Sequence, residues 1–256
     1  MGRRLEGKVA IITGAGSGIG YAIATLFSKE GAKIVAGEWN EKTLAQVITD
    51  VQKASGEITG VQVNVANRAE AESLVDKAVS TYGRIDVLCN NAGVMDTMAG
   101  VADVTDEIWQ RVLDININGP MYLSRRVIPV MLKQGSGSII NTASVAGIRG
   151  AAAGAAYTVS KHALIGLTRS TAWMYGPKGI RCNAMMCGGV ETNIMTSVDR
   201  TKINPEGAKR TGIYASIMPA LLKPIDIANL ALFLASDESK HINGAIIPAD
   251  AGWSTA

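Results

Sequence analysis

Short apolar, β-branched runs alternate along this chain with stretches whose apolar positions recur every three or four residues. Runs at 8–13, 33–37, 59–65, 85–89, 137–141, 179–185 and 245–248 are short and mostly apolar, without a helical period. That pattern predicts strands buried on both faces. The intervening stretches at 21–30, 41–54, 68–82, 106–133, 155–175 and 225–235 read as helices. In the third of these, Leu74, Ala78 and Val79 fall on one stripe, and the first is stopped by Gly31. Strands alternating with helices predict an α/β, doubly wound parallel sheet of about seven strands with helices on both faces. No linker rich in Pro, Gly or Ser divides the chain, so residues 1–256 read as one domain. Residues 190–218 have mixed polarity and no clean period, and are expected to form a mobile lid over a substrate.

The turns between these elements carry the chemistry. The first strand runs into Gly14-Ala15-Gly16-Ser17-Gly18-Ile19-Gly20, which opens the first helix. Glycines there let the backbone turn sharply and approach a pyrophosphate, which the unpaired N–H groups of the helix start can hold. Glu38 ends the second strand, close to the interval at which a dinucleotide site places an acid for the adenine ribose. A carboxylate there accepts from both ribose hydroxyls and repels a 2′-phosphate, and no lysine or arginine adjoins it. The expected cofactor is therefore NAD, with NADP second.

Asn90-Asn91-Ala92-Gly93 follows the fourth strand, at the carboxyl edge where open α/β sheets bind ligands. Pro120 stands four residues after Asn116 inside the long helix, so the Asn116 carbonyl loses its helical donor and the helix is expected to kink. A water on that carbonyl could link Lys161 to solvent. Tyr157 and Lys161 are one helical turn apart on one face. An ammonium beside a phenol favours the phenolate and is expected to pull its pKa down, which makes the phenol a proton carrier for an alcohol oxygen. Ser144 offers a hydroxyl to the same oxygen. Taken singly, each of these signals is ordinary: a turn, a packing kink, a solvated helix face.

Composition narrows the partners. The net charge of +3 is spread along the chain without a Lys/Arg run, which argues against a nucleic-acid or anionic-membrane surface. No apolar run approaches transmembrane length. Three cysteines, Cys89, Cys182 and Cys187, lack the spacing of a disulfide framework and suit a reducing, cytoplasmic setting. No His/Cys/Asp cluster has metal-ligand spacing, so no metal is expected. Both histidines, His162 and His241, read as structural.

Together, Thr13-Gly14-x-x-x-Gly18-x-Gly20, Asn90-Asn91-Ala92-Gly93, Asn116, Ser144, Tyr157-x-x-x-Lys161, Asn243-Gly244 and Asp250-Ala251-Gly252 resemble the short-chain dehydrogenase/reductase family in its single-domain branch. The resemblance covers the whole chain, in the family's order. It implies a Rossmann fold and an oxidoreductase moving a hydride between nicotinamide and a secondary alcohol or ketone. Tyr157 would be the general acid/base. Lys161 would tune it and bind the nicotinamide ribose, Ser144 would polarise the substrate oxygen, and Asn116 would hold the relay water. Gly14, Ser17, Gly18, Ile19 and Gly20 would carry the pyrophosphate and Glu38 the adenine ribose. Asn64 and Val65 would lie near the adenine. Asn91, Ala92 and Gly93 would border the cofactor, and Gly188, Val190 and Thr192 would lie near the nicotinamide. Met95 and Met186, with Val145, Ile148, Val190 and Met195, would line a mostly apolar substrate pocket. A homotetramer or homodimer is implied, with 155–175 and the kinked helix as interface candidates. Two positions depart from the family: Asn64 stands where Asp is common, and Cys187 stands where proline usually precedes Gly188. A 3-oxoacyl-thioester reductase and a non-catalytic NAD-binding redox sensor are the alternative activities.

Overall fold

The computed structural model describes residues 3–255. Seven strands form one sheet in the order β3-β2-β1-β4-β5-β6-β7. They are β1 Val9–Thr13, β2 Lys33–Glu38, β3 Ile58–Gln62, β4 Val87–Asn90, β5 Gly137–Ser144, β6 Ile180–Cys187 and β7 Ile246–Ala249. Every neighbouring pair is parallel. Eight α-helices accompany them: α1 Gly18–Lys29, α2 Glu41–Lys53, α3 Arg68–Tyr82, α4 Asp106–Leu113, α5 Gly119–Gln134, α6 Ala155–Tyr175, α7 Pro205–Ala215 and α8 Pro224–Ala235.

The period of two along a strand sorts residues between the two faces. In β1, Ala10 and Ile12 pack with Ile23 and Phe27 of α1, Val47 of α2 and Ile227 and Ala231 of α8. Val9 and Ile11 point the other way, into Leu74 and Val75 of α3 and Leu123, Val127 and Met131 of α5. Because both faces are covered, β1 has no solvent-facing side and reads V-A-I-I-T with all five residues buried. The chain winds outward from β1 to β3 and returns beside β1 as β4. The crevice between the carboxyl ends of β1 and β4 is therefore the topological switch point where such sheets take a ligand.

Three expectations shift. The third strand leaves the ladder after Gln62, because Asn64 closes a turn by accepting from Ala66 N at 3.1 Å and the chain then enters α3, capped by Asn67. The fifth and sixth strands run further than their apolar cores, to Ser144 and Cys187, which face each other across the ladder. The helix expected over 106–133 is interrupted by a π-turn at Asp114–Asn118, where Gly119 N donates to Asp114 O across five residues. The missing N–H of Pro120 is thus accommodated by a local widening of the helix. The segment without period, 190–218, contains two short 3₁₀ turns and α7, whose start is capped by Asn204 accepting from Gly207 N at 2.8 Å.

Candidate active site

The glycine turn is shaped by sterics alone. Gly14 has φ +63° and Gly18 φ +51°, in the left-handed region that side chains avoid. A Cβ on Gly20 would overlap the carbonyl oxygen of Gly14, so only glycine lets α1 begin this close to β1. Ser17 is the N-cap of α1, yet its side chain makes no capping bond. The first-turn N–H groups of α1 therefore remain available to an anion. Glu38 lies beside this turn, its Oε2 accepting from Gly16 N at 2.9 Å and its Oε1 from Asn40 N at 3.0 Å. Each carboxylate oxygen keeps a further lone pair. A Cβ on Gly18 would meet Thr192 Cγ2 at 3.0 Å, which places the start of the 190–218 segment over the turn. The cradle thus fits a dinucleotide pyrophosphate in shape and in polarity.

Across the switch point, Thr13 joins β1 to the asparagine turn. Its hydroxyl accepts from Asn91 N at 3.0 Å and Ala92 N at 3.1 Å, while Asn91 Nδ2 donates to Thr13 O at 3.0 Å. Asn116 is fully buried. Its Oδ1 accepts from Val94 N at 2.9 Å, and its Nδ2 donates to Val94 O at 2.9 Å and Ser160 Oγ at 3.1 Å. The side chain therefore clamps the loop after β4 to α6. A Cβ on Gly93 would lie 3.3 Å from Asn116 Oδ1 and 3.7 Å from Lys161 Nζ, so this glycine leaves the two polar groups free to face one space. Asn64 is spent locally in its turn, and Val65 packs against Gly119 at the start of α5.

Tyr157 and Lys161 lie on the buried face of α6, with Ser144 at the end of β5. Lys161 Nζ sits 5.4 Å from the centre of the Tyr157 ring and donates to Thr142 O at 2.8 Å. Burial pushes the Lys161 ammonium down to about 8, with Cys187 pulling weakly the other way. The expected lowering of the phenol is not what the structure gives. Burial raises the pKa of Tyr157 well above its ordinary value, a hydrogen bond with Ser144 opposes the rise, and Cys187 and Asp96 add to it. Burial is invisible to a spacing argument, and here it is the largest cause of the shift.

The expected pocket lining divides. Met95 packs in one buried cluster with Tyr157, Val112, Ala146 and Val198. Met186 is buried on β6 next to Cys187, and Val145 is wholly buried and faces no open space. Ile148 and Met195 are the open members, 42% and 38% exposed. Val190 is drawn to the opposite face of the sheet by its parallel bridge to Leu222. Gly188 packs against the backbone of Asp250. Cys187 is buried and its thiol is raised to about 12 by desolvation, which makes it a poor nucleophile. Asp96, Thr13 and Thr142 serve the site without having been singled out as site residues by sequence. Only Thr13 carries a local signal, as the residue before Gly14.

A nucleotide cradle at the switch point beside a buried Ser–Tyr–Lys set defines a class of nicotinamide-linked oxidoreductases. The chain belongs to the short-chain dehydrogenase/reductase family: the family model described as enoyl-(acyl carrier protein) reductase matches residues 14–254. It is 40% identical to 3beta-hydroxysteroid dehydrogenase 2 of Eggerthella lenta, over 98% of this chain and 96% of that protein. A short-chain dehydrogenase of Mycobacterium paratuberculosis bound to NAD superposes with TM-score 0.90 at 32% identity, covering 99% of this chain and all of that one. A protein of Beutenbergia cavernae solved with NADP at low occupancy superposes with TM-score 0.87 at 32% identity, each chain covered completely. The protein is an oxidoreductase of this family, and its structural neighbours bind nicotinamide dinucleotides of both kinds. Among the described residues no helix is long and apolar enough to cross a membrane, and no group of three or more His, Cys, Asp or Glu could hold a metal.

Proposed function

We propose that this protein is an NAD-dependent dehydrogenase that interconverts an apolar secondary alcohol and its ketone, with Tyr157 as general acid/base. The observation that carries the reading is the convergence of Ser144, Tyr157 and Lys161 at the carboxyl edge of the sheet, beside the uncapped start of α1. Bound nicotinamide supplies the hydride chemistry. Gly14, Ser17, Gly18, Ile19 and Gly20 hold the pyrophosphate, Glu38 the adenine ribose, and Lys161 the nicotinamide ribose. Asn64, Val65, Asn91, Ala92 and Gly93 flank the dinucleotide, and Gly188, Val190 and Thr192 cover it.

Ser144 donates a hydrogen bond to the substrate oxygen. The Tyr157 hydroxyl gives its proton to that oxygen in reduction and takes it back in oxidation. A buried phenol with a raised pKa is protonated at neutral pH, the state that reduction needs. Lys161 is charged below about 8. Reduction is therefore flat near neutrality and falls above about 8, whereas oxidation rises with pH. A water on the Asn116 carbonyl, near Lys161, returns protons to solvent. The carboxylate of Glu38 favours NAD over NADP.

Apolar Met95 next to Tyr157, the open Ile148 and Met195, and the hydroxysteroid named for the relative support a cyclic secondary alcohol or ketone as substrate. Trp173 and Met174, 83% and 60% exposed near the end of α6, support a homotetramer or homodimer that covers them. Three free, buried thiols support a cytoplasmic setting. A panel of secondary alcohols and ketones, followed at the NADH absorbance band with NAD and NADP, tests the reading. We expect turnover with a cyclic or steroidal member and an NAD preference of about tenfold or more in kcat/KM, equivalent to about 1.4 kcal/mol. Saturable dinucleotide binding without turnover of any member would point instead to a sensor.

A further inference from the structure

The loop of residues 94–100, between the asparagine turn and α4, holds Asp96, a residue only 2% exposed. Among the described residues it has no cationic partner. It accepts instead from three main-chain N–H groups: Oδ1 from Met98 N at 2.9 Å and Gly154 N at 3.3 Å, and Oδ2 from Tyr157 N at 2.9 Å. Gly154 is the N-cap of α6, has no side chain to cap with, and Tyr157 is the third residue of the helix. The first turn of the helix that carries the phenol is therefore capped by a carboxylate 58 residues away in sequence.

A local Ser or Asn at position 154 would cap the same turn without importing a charge, and burying a carboxylate without a cation is costly. The fold nonetheless keeps glycine there. A Cβ on Gly154 would lie 2.6 Å from Asp96 Oδ2 and 2.8 Å from Ala99 N, so the glycine is what admits the loop. Ala155 N donates to Ala99 O at 2.9 Å and ties the loop to the helix a second time. The far side of the loop is anchored as well. Met95 N donates to Ser197 Oγ at 3.1 Å, Asn204 N donates to Thr97 O at 2.8 Å, and Met98 is held at φ +58° against Gly207. Asp96 is thus fixed from the 190–218 side and cannot drift with the helix it caps.

We propose that Asp96 is a positioning residue that sets the placement and the proton affinity of the Tyr157 phenol. This rests on the reading of Tyr157 as the acid/base. Asp96 meets the main chain of Tyr157, and the polar groups around the phenol itself are Lys161 on its own helix, Ser144 at the end of β5 and Cys187 at the end of β6. From α4 and the 190–218 segment the phenol meets Val112 and Val198, and the nearby Arg111 donates to Ser197 O. Asp96 is the one carboxylate in this set. Its charge opposes the phenolate, so it keeps the proton on Tyr157 for reduction and resists its loss in oxidation.

The test is the pH profile of alcohol oxidation by the wild type and by Asp96→Asn, with melting temperature measured in parallel. The amide turns one acceptor oxygen into a donor facing N–H groups, so kcat should fall roughly tenfold to a hundredfold, as misplaced catalytic groups do. The rising limb of kcat should move measurably to lower pH, because a negative neighbour of the phenol is gone. A fall in kcat with the limb in place marks a mere helix cap and overturns the proposal, as does an unchanged kcat. If Asp96→Asn does not fold, Asp96→Ser, which leaves no misplaced amide, separates the same outcomes. Absence of turnover by the wild type on every substrate overturns the reading of Tyr157 itself, a result distinct from wild-type turnover that Asp96→Asn leaves unmoved.

Discussion

Two segments close over the same crevice and are built on opposite principles. The turn from Gly14 to Gly20 takes its shape from the backbone: two left-handed glycines and a third pressed against a carbonyl. The 190–218 segment has no such local code. It is held from afar, by the bridge of Val190 to Leu222, by Thr192 on Gly18, by Ser197 under Met95 and by Asn204 on Thr97. Where sterics set the shape, one added methyl group breaks the site. Where several distributed contacts set it, one change loosens it.

That contrast can be tested from its stronger side first. Gly20→Ala puts a methyl group into the carbonyl of Gly14 and beside Asn91 Nδ2. We expect a loss of about 1–3 kcal/mol from overpacking, read by thermal or denaturant unfolding, and dinucleotide affinity at least tenfold weaker by fluorescence titration. Wild-type stability and affinity in this variant would show that the turn is not closed as described. Ser197→Ala removes the hydroxyl that accepts from Met95 N, one of the contacts that hold the segment. Because neighbouring contacts still hold the segment, we expect a several-fold rise in substrate KM, of order 1 kcal/mol, with dinucleotide affinity within about twofold of wild type. An equal loss of dinucleotide affinity would show that the two segments are not separable.

The same division explains what the sequence disclosed. The parallel sheet was legible because a strand covered on both faces is largely apolar, as in Val9–Ile12 of β1. The glycine turn and the Tyr157/Lys161 pair were legible because their chemistry depends on spacing along one element. The lengths of β5 and β6 were not, since Thr142-Ala143-Ser144 and Met186-Cys187 join the ladder only through their partners. The direction of the Tyr157 shift was missed because burial comes from Met95, Val112 and Val198, far away in the chain. Asp96 escaped for the same reason. In sequence it is an acid in a loop, and its three N–H partners are spread from Met98 to Tyr157. Asn116 was found by its place before Pro120, but its side-chain clamp between Val94 and Ser160 needed the fold.

The account turns on the phenol of Tyr157, and Tyr157→Phe measures it most directly because it removes one oxygen and leaves the ring in its buried cluster. Turnover of the best alcohol and the dissociation constant for NAD should be measured on the same preparation. The account predicts that kcat falls by about a thousandfold or more while NAD binds within about twofold of wild type, since general acid/base groups contribute about 10²–10⁴ in rate. Turnover within tenfold of wild type would contradict it.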